Sequence, residues 1–323
     1  MASETATVDP KTLIDPELVQ AQRKAQEIAA QIGPPGPGIA GVRAHAAKAR
    51  EWWNEGGPEM AEIRDDAVPG PIREIPVRVY RPSTATGLPA FVYLHGGGFK
   101  IGNPRSNDRQ MRELANAWGG AVVSADYVHV PEYVFPSAVE EIAALYGWLN
   151  KNGAGWGIDR SRIAFGGTSA GGSVAMGAAI HLGGTRTGFL KAGVMISAVL
   201  DTDMETESMR RFADCGFQPS RADVMAVLAD YVPDASRRGD PRVNCVAADP
   251  AIIPPICFAA AELDTLRDSA KNMAARLAAA GRPHRLKVYP GMTHMFFAYT
   301  RMVTRSAECG RDIAAFLKET VPA

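Results

Sequence analysis

The sequence lacks an excess of charge of either sign: 35 Lys and Arg stand against 35 Asp and Glu in 323 residues. A neutral chain offers no global basic field to a phosphate backbone, so no nucleic-acid partner is expected. Long apolar runs are also missing. The longest, AGVMISAVL at 192–200, falls far short of the ~20 residues of a membrane span, so no membrane partner is expected either. The opening MASETATVDP is polar and acidic, with no basic region ahead of an apolar stretch, and no signal peptide is expected there. Only four cysteines occur, at 215, 245, 257 and 309, with no close pair. That spacing is neither a zinc pattern nor a disulfide framework, and it suits four inert thiols in a reducing cytoplasm. Asp201, Asp203 and Glu205 lack a full ligand set and read as a solvated acidic turn, so no metal is expected.

What is present is apolar material, 46% of the chain, enough for the core of one large α/β domain with an insertion. Residues 12–32 and about 39–54 read as covering helices separated by GPPGPG at 33–38. From about residue 72 the pattern changes to strands. Ile75, Val77 and Val79 alternate with polar neighbours, the mark of a half-buried strand. AFVYL (90–94), AVVSA (121–125), RIAFG (162–166), AGVMISAVL (192–200), PICFAAA (255–261) and HRLKVY (284–289) follow. Most are short apolar runs of the kind expected for strands buried on both faces. Helical stripes lie between them: Ala138, Ile142, Leu145 and Leu149; Met273 and Leu277 ahead of a capping Gly281; and Val303, Ile313, Phe316 and Leu317. Strand alternating with helix implies a mostly parallel central sheet flanked by helices. The charged and then helical stretch 201–245 interrupts the rhythm and reads as an insertion over one sheet edge. The expected organisation is therefore N-terminal cap helices at 1–55, an α/β domain at 56–200 and 246–323, and a cap insertion at 201–245.

Four segments carry chemistry. In RIAFGGTSAGGSVAMG, Ser169 falls where a strand gives way to a helix, with glycine two positions before and two after. A serine on such a tight turn is exposed at a helix N-terminus, where developing negative charge is favoured. In YLHGGGF, three glycines follow an apolar strand and present successive N–H groups. Neither GK[ST] nor GxGxxG spacing is present, which removes the phosphate-loop and dinucleotide readings. Gly97 and Gly98, with the N–H of Ala170, are the expected donors to an oxyanion. Of six histidines, His294 lies in a loop after the last strand, where a base can overhang the sheet; His129 also follows a strand and stays in contention. Asp264, just after PICFAAA, is the expected partner acid, with Glu262 as alternative and Asp268 as the opening of the next helix. The chain order Ser169, Asp264, His294 is that of the α/β-hydrolase fold. Phe99, Met292, Phe296, Phe297 and Tyr299 are candidate substrate contacts.

On HGGGF (95–99), GTSAGG (167–172), DTLRD (264–268) and GMTHMF (291–296), the sequence resembles a bacterial member of the hormone-sensitive-lipase family of carboxylesterases. ADYVHVPEYVFP agrees, with Asp126, Tyr127, Pro131 and Glu132 in their family places. The resemblance implies hydrolysis of small esters with short to medium acyl chains and no cofactor. It also implies a cap built from the N-terminal helices and the insertion, and often a homodimer paired through the last strand, here about 284–289. Thr168 stands where an acidic residue is common, which points to the GTSAG subgroup. Val128, His129 and Val130 replace the family's Arg, Leu and Ala, so an arginine network near the site is absent or rebuilt.

Overall fold

The computed structural model describes residues 9–213 and 215–323; most of the polar opening lies outside them. Eight strands form one sheet in the order β1-β2-β4-β3-β5-β6-β7-β8. β1 (Glu62–Pro69) and β2 (Glu74–Arg81) run antiparallel at one edge, and β2 pairs antiparallel with β4 (Ala121–Ala125). β3 (Leu88–Leu94), β4, β5 (Ile158–Thr168), β6 (Leu190–Ile196), β7 (Ile256–Leu263) and β8 (His284–Thr293) are parallel to one another. Every residue of β3 and β4 is buried, as their unbroken apolar runs require of strands covered on both faces.

Helices cover both faces. α4 (Ser137–Asn152), α5 (Ala170–His181) and α8 (Arg267–Ala279) close one core, in which Leu145, Val174, Phe165 and Met273 pack. α3 (Asp108–Trp118) and α9 (Thr304–Thr320) close the other, with Phe91, Trp118, Tyr289 and Phe316. α1 (Pro16–Ile32) and α2 (Gly38–Asn54) lie on this second side, where Leu18 and Trp53 join the core. α6 (Glu207–Phe212) and α7 (Arg221–Tyr231) stand in the 201–245 interruption.

Two boundaries differ from the sequence reading. β6 stops at Ile196 rather than continuing to 200, because Ser197 turns with φ 44° and its N–H goes to Ala259 O. Asp268 lies inside the first turn of α8 rather than opening it, since Leu266 is the flanking residue. Its carboxylate instead accepts the Ser208 N–H at 2.7 Å and pairs with Arg267, which ties α6 to α8. Gly281 ends α8 as expected, with φ +64° and the Arg282 N–H on Leu277 O.

Register sets the rim of the sheet. Leu94 of β3 pairs with Gly167 of β5, Thr168 of β5 with Ile196 of β6, and Leu263 of β7 with Thr293 of β8. The next residues in the chain are His95, Ser169, Asp264 and His294. Parallel strands in this register deliver all four to one edge.

Candidate active site

Ser169 has φ 53° and ψ −125°, a conformation few L-residues adopt, between β5 and α5. Its N–H donates to Ile196 O at 2.9 Å. The turn tolerates no bulk around it: a Cβ on Gly171 would stand 2.3 Å from both Leu94 O and His95 O, and one on Gly167 2.4 Å from Leu94 O. The glycines exist so that β3 can pass close to the serine turn.

The Ser169 Oγ lies 2.9 Å from His294 Nε2, and His294 Nδ1 lies 2.8 Å from Asp264 Oδ2. Asp264 is fully buried, and its other oxygen accepts the Leu266 N–H at 2.9 Å. An ionised carboxylate only accepts, so the proton sits on Nδ1 and the lone pair of Nε2 faces the hydroxyl. Glu262 goes elsewhere. β7 and β8 slip out of register between Ala261 and Leu263, and the Glu262 carboxylate fills the gap by accepting the Gly291 N–H at 2.8 Å. His129 is not at the hydroxyl either. It stands beside His95 and Asp126, and burial together with the neighbouring His95 pushes its imidazole down to about 4.

Gly97 and Gly98 line the same cavity as Ser169, Ala170 and His294. Gly97 has φ +131°, and a Cβ there would lie 2.1 Å from Ile101 O, because the loop folds back so that Gly97 O accepts the N–H groups of Lys100 and Ile101. Among the described residues, the N–H groups of Gly97, Gly98 and Ala170 donate to no backbone carbonyl. His95 steadies the loop from behind: Nδ1 lies 2.9 Å from Gly96 O, Tyr127 stacks on the ring, and the Tyr127 hydroxyl donates to His95 O.

The missing family arginine is replaced from two distant places. Arg73, in the turn between β1 and β2, donates to Asp126 and Glu141, and Glu141 accepts the Val128 N–H. Arg43 of α2 forks onto Glu132 and donates to Val130 O and Lys100 O. This fork holds the Glu132 carboxyl down at about 2.

The cavity measures about 230 Å³. Of the five expected substrate contacts, Phe99 lines it, stacked on Tyr231 with ring centres 3.9 Å apart. Met292, Phe296 and Phe297 do not; they are buried in the second core with Tyr289, below the rim. Tyr299 packs on Trp53 and borders a separate cavity beside α1. These four are corrections to the sequence reading, with one cause: an aromatic-rich segment at a strand end points as readily into the core as out of it. The walls missed are Val224, Val227, Leu228 and Tyr231 of α7, with Val199, Leu266 and Met295. The α7 set repeats at i, i+3, i+4 and i+7, a helical stripe visible in RADVMAVLADY. Asp201 and Asp203 are engaged in their own loop, accepting the N–H groups of Asp203 and Glu205.

A mostly parallel eight-stranded sheet, with a strained serine between its central strand and the following helix, is the architecture of the α/β hydrolases. Comparison with known proteins agrees. The alpha/beta hydrolase fold family matches residues 91–298. An esterase of Pyrobaculum calidifontis is 31% identical over 95% of this chain and 98% of its own, with a TM-score of 0.84. An ester hydrolase from the Lake Arreo metagenome, solved with a bipyridine phosphonate derivative, is 31% identical over the same shares, with a TM-score of 0.85. A thermophilic carboxylesterase cloned from a metagenomic library is 29% identical over 88% of this chain and 98% of its own, with a TM-score of 0.84. The chain belongs to the alpha/beta hydrolase fold family, among the carboxylesterases related to hormone-sensitive lipase, and is a carboxylic ester hydrolase. Among the described residues no helix is long and apolar enough to cross a membrane.

Proposed function

We propose that the chain hydrolyses small esters of short- to medium-chain acids through an acyl-enzyme on Ser169. The observation that carries the reading is the continuous hydrogen-bond line from Ser169 Oγ through His294 to Asp264, at 2.9 and 2.8 Å. His294 takes the hydroxyl proton as Oγ attacks the ester carbonyl, and Asp264 stabilises the imidazolium that forms. The N–H groups of Gly97, Gly98 and Ala170 hold the tetrahedral oxyanion, each such donor accounting for about 10²–10³-fold in rate. His294 then gives its proton to the departing alcohol. Water repeats the sequence on the acyl-enzyme and regenerates the serine.

The cavity supports the chain-length class. Its volume of about 230 Å³ lies below the roughly 300–1,000 Å³ of drug-sized sites, and its walls are largely apolar. The insertion at 201–245 and the helices before residue 55 act as the cap: α7 supplies a wall, and Arg43 anchors α2 beside the glycine loop. Thr168, hydrogen-bonded to the Tyr93 hydroxyl at 2.9 Å, supports membership of the GTSAG subgroup. β8 forms one edge of the sheet, which supports a homodimer paired through it; light scattering on the purified chain checks this. The buried thiols fit residence in the cytoplasm.

An alkyl phosphonate probe tests the chemistry. Stoichiometric phosphonylation of Ser169, found by peptide mapping and lost in Ser169→Ala, is the expected result; labelling elsewhere or none at all overturns the reading. His294→Ala should lower kcat on a chromogenic short-chain ester by at least about 10³-fold while leaving the fold intact by circular dichroism. A variant that keeps most of its turnover counts against His294 as base.

A further inference from the structure

Behind the glycine loop, three ligand atoms converge from residues that take no part in the acyl-transfer steps. His95, Asp126 and His129 each offer one, and the three atoms lie within 4.8 Å of one another. Asp126 Oδ1 is 3.4 Å from His95 Nε2 and 3.8 Å from His129 Nε2.

The contacts inside this cluster are loose. His95 Nδ1 lies 2.9 Å from Gly96 O, which can only accept, and His95 Nε2 faces Asp126 Oδ1 at 3.4 Å, long for a hydrogen bond to a carboxylate. The Nε2 of His129 is buried beside them with no hydrogen-bond partner, on a side chain only 9% exposed. A cation among the three atoms satisfies all of them at once.

We propose that His95, Asp126 and His129 form a site for one divalent transition-metal ion of the zinc class. Two imidazoles and a carboxylate are ligands that zinc takes, with a water in the fourth place. Tetrahedral zinc with bonds of about 2.0–2.1 Å holds its ligand atoms about 3.3 Å apart. The His95–Asp126 separation of 3.4 Å already matches; the Asp126–His129 separation of 3.8 Å and the group's 4.8 Å limit mean that the His129 ring must move inward to complete the set. The support beyond the ligands also fits: metal-binding histidines donate their second ring N–H to a carbonyl or carboxylate, as His95 does to Gly96 O.

Charge does not forbid it. Arg73 faces the other Asp126 oxygen at 3.2 Å, but it is shared with Glu141 at 3.0 Å, and Arg43 is neutralised by Glu132. Counting Arg73, Glu141 and Asp126 together leaves one negative charge for the cation. Bound there, the ion joins the residue that opens the glycine loop to the 126–132 segment. It braces the loop and makes no contact with an ester. The site does not depend on the ester reading, and its test needs no turnover.

The test is made on the full, tag-free chain after chelator treatment. Zinc binding is followed by calorimetry and by elemental analysis after dialysis, with cobalt(II) absorption as a geometric check. One zinc per chain is expected, with the tetrahedral cobalt spectrum and a higher melting temperature in zinc. His129→Leu keeps an apolar body in the same space, so it should fold and bind zinc at least about tenfold more weakly. Asp126→Asn should do the same, whereas His181→Ala, which removes an imidazole beside Arg242, should leave the stoichiometry at one. Absence of binding at about 100 µM zinc, or a zinc isotherm unchanged in His129→Leu, overturns the proposal.

Discussion

The rim of the sheet and the 201–245 segment both line the cavity at Ser169, but they are held in place by different means. Rim residues follow directly on paired strands, so backbone ladders position them. Asp264 and His294 succeed Leu263 and Thr293, which are register partners. The α7 wall depends on side-chain packing and a few polar ties: Val224 against Met209 and Leu266, Tyr231 on Phe99, and an ion pair between Asp230 and Lys100. Ladders leave little room for variation in where the chemistry sits. Packing of α7 can be altered without moving the rim residues, so under the proposed mechanism the reaction is fixed where the cavity wall is adjustable.

The comparison can be broken most directly at the rim. Asp264→Asn should lower kcat by about 10³–10⁴-fold, because the wrong tautomer then faces Ser169. Glu262→Ala should lower it less than about tenfold while costing about 1–3 kcal/mol of stability, through the orphaned Gly291 N–H. Steady-state kinetics with thermal melts on both variants separates the two carboxylates; equal kinetic losses would refute the assignment of Asp264. Next in size is a pair of phenylalanines. Phe297→Ala should cost about 3–5 kcal/mol of stability with kcat/KM little changed in the folded fraction, because the ring fills the core. Phe99→Ala should also lose stability, since the ring is buried on Tyr231, but it should in addition raise KM, because Phe99 lines the cavity.

A smaller effect is expected from the wall. Val227→Trp narrows the cavity, and the ratio of kcat/KM for long over short acyl chains should fall by about 10–100-fold, read from a series of p-nitrophenyl esters. An unchanged ratio would show that acyl chains leave by another route. Smallest is a chemical check on the core. Burial pushes the thiols of Cys245 and Cys257 up to about 12 and raises that of Cys309 as well, while Cys215 is half-buried. At pH 8 a thiol reagent should modify Cys215 first, with the other three reacting only on unfolding.

How much could be read from the residues follows the same division. The strand ends carrying Ser169, Asp264, His294 and the glycine loop were legible, since apolar runs followed by glycine, acid or histidine mark where a buried strand meets the rim. β1 was not, because EIRDDAVP is an edge strand with one neighbour, and its charges hide the alternation. α3 carries a clear stripe at Met111, Leu114, Ala115 and Trp118 that a periodicity count would find. Met292, Phe296 and Phe297 misled because proximity in sequence to His294 says nothing about which face a side chain takes after a turn. The rebuilt arginine network was out of reach: Arg43 and Arg73 lie 89 and 53 positions from Glu132 and Asp126.

The pairing of Leu263 with Thr293 also has a meaning in time. Ser169 and the glycine loop follow early strands, while Asp264 and His294 arrive only with the last two. A ribosome-bound chain that has released β5 but not β8 holds a hydroxyl at a tight turn with no imidazole beside it. Under the proposed mechanism, hydrolytic competence switches on with the final strand to dock, and the appearance of activity during synthesis is a clock for completion of the sheet.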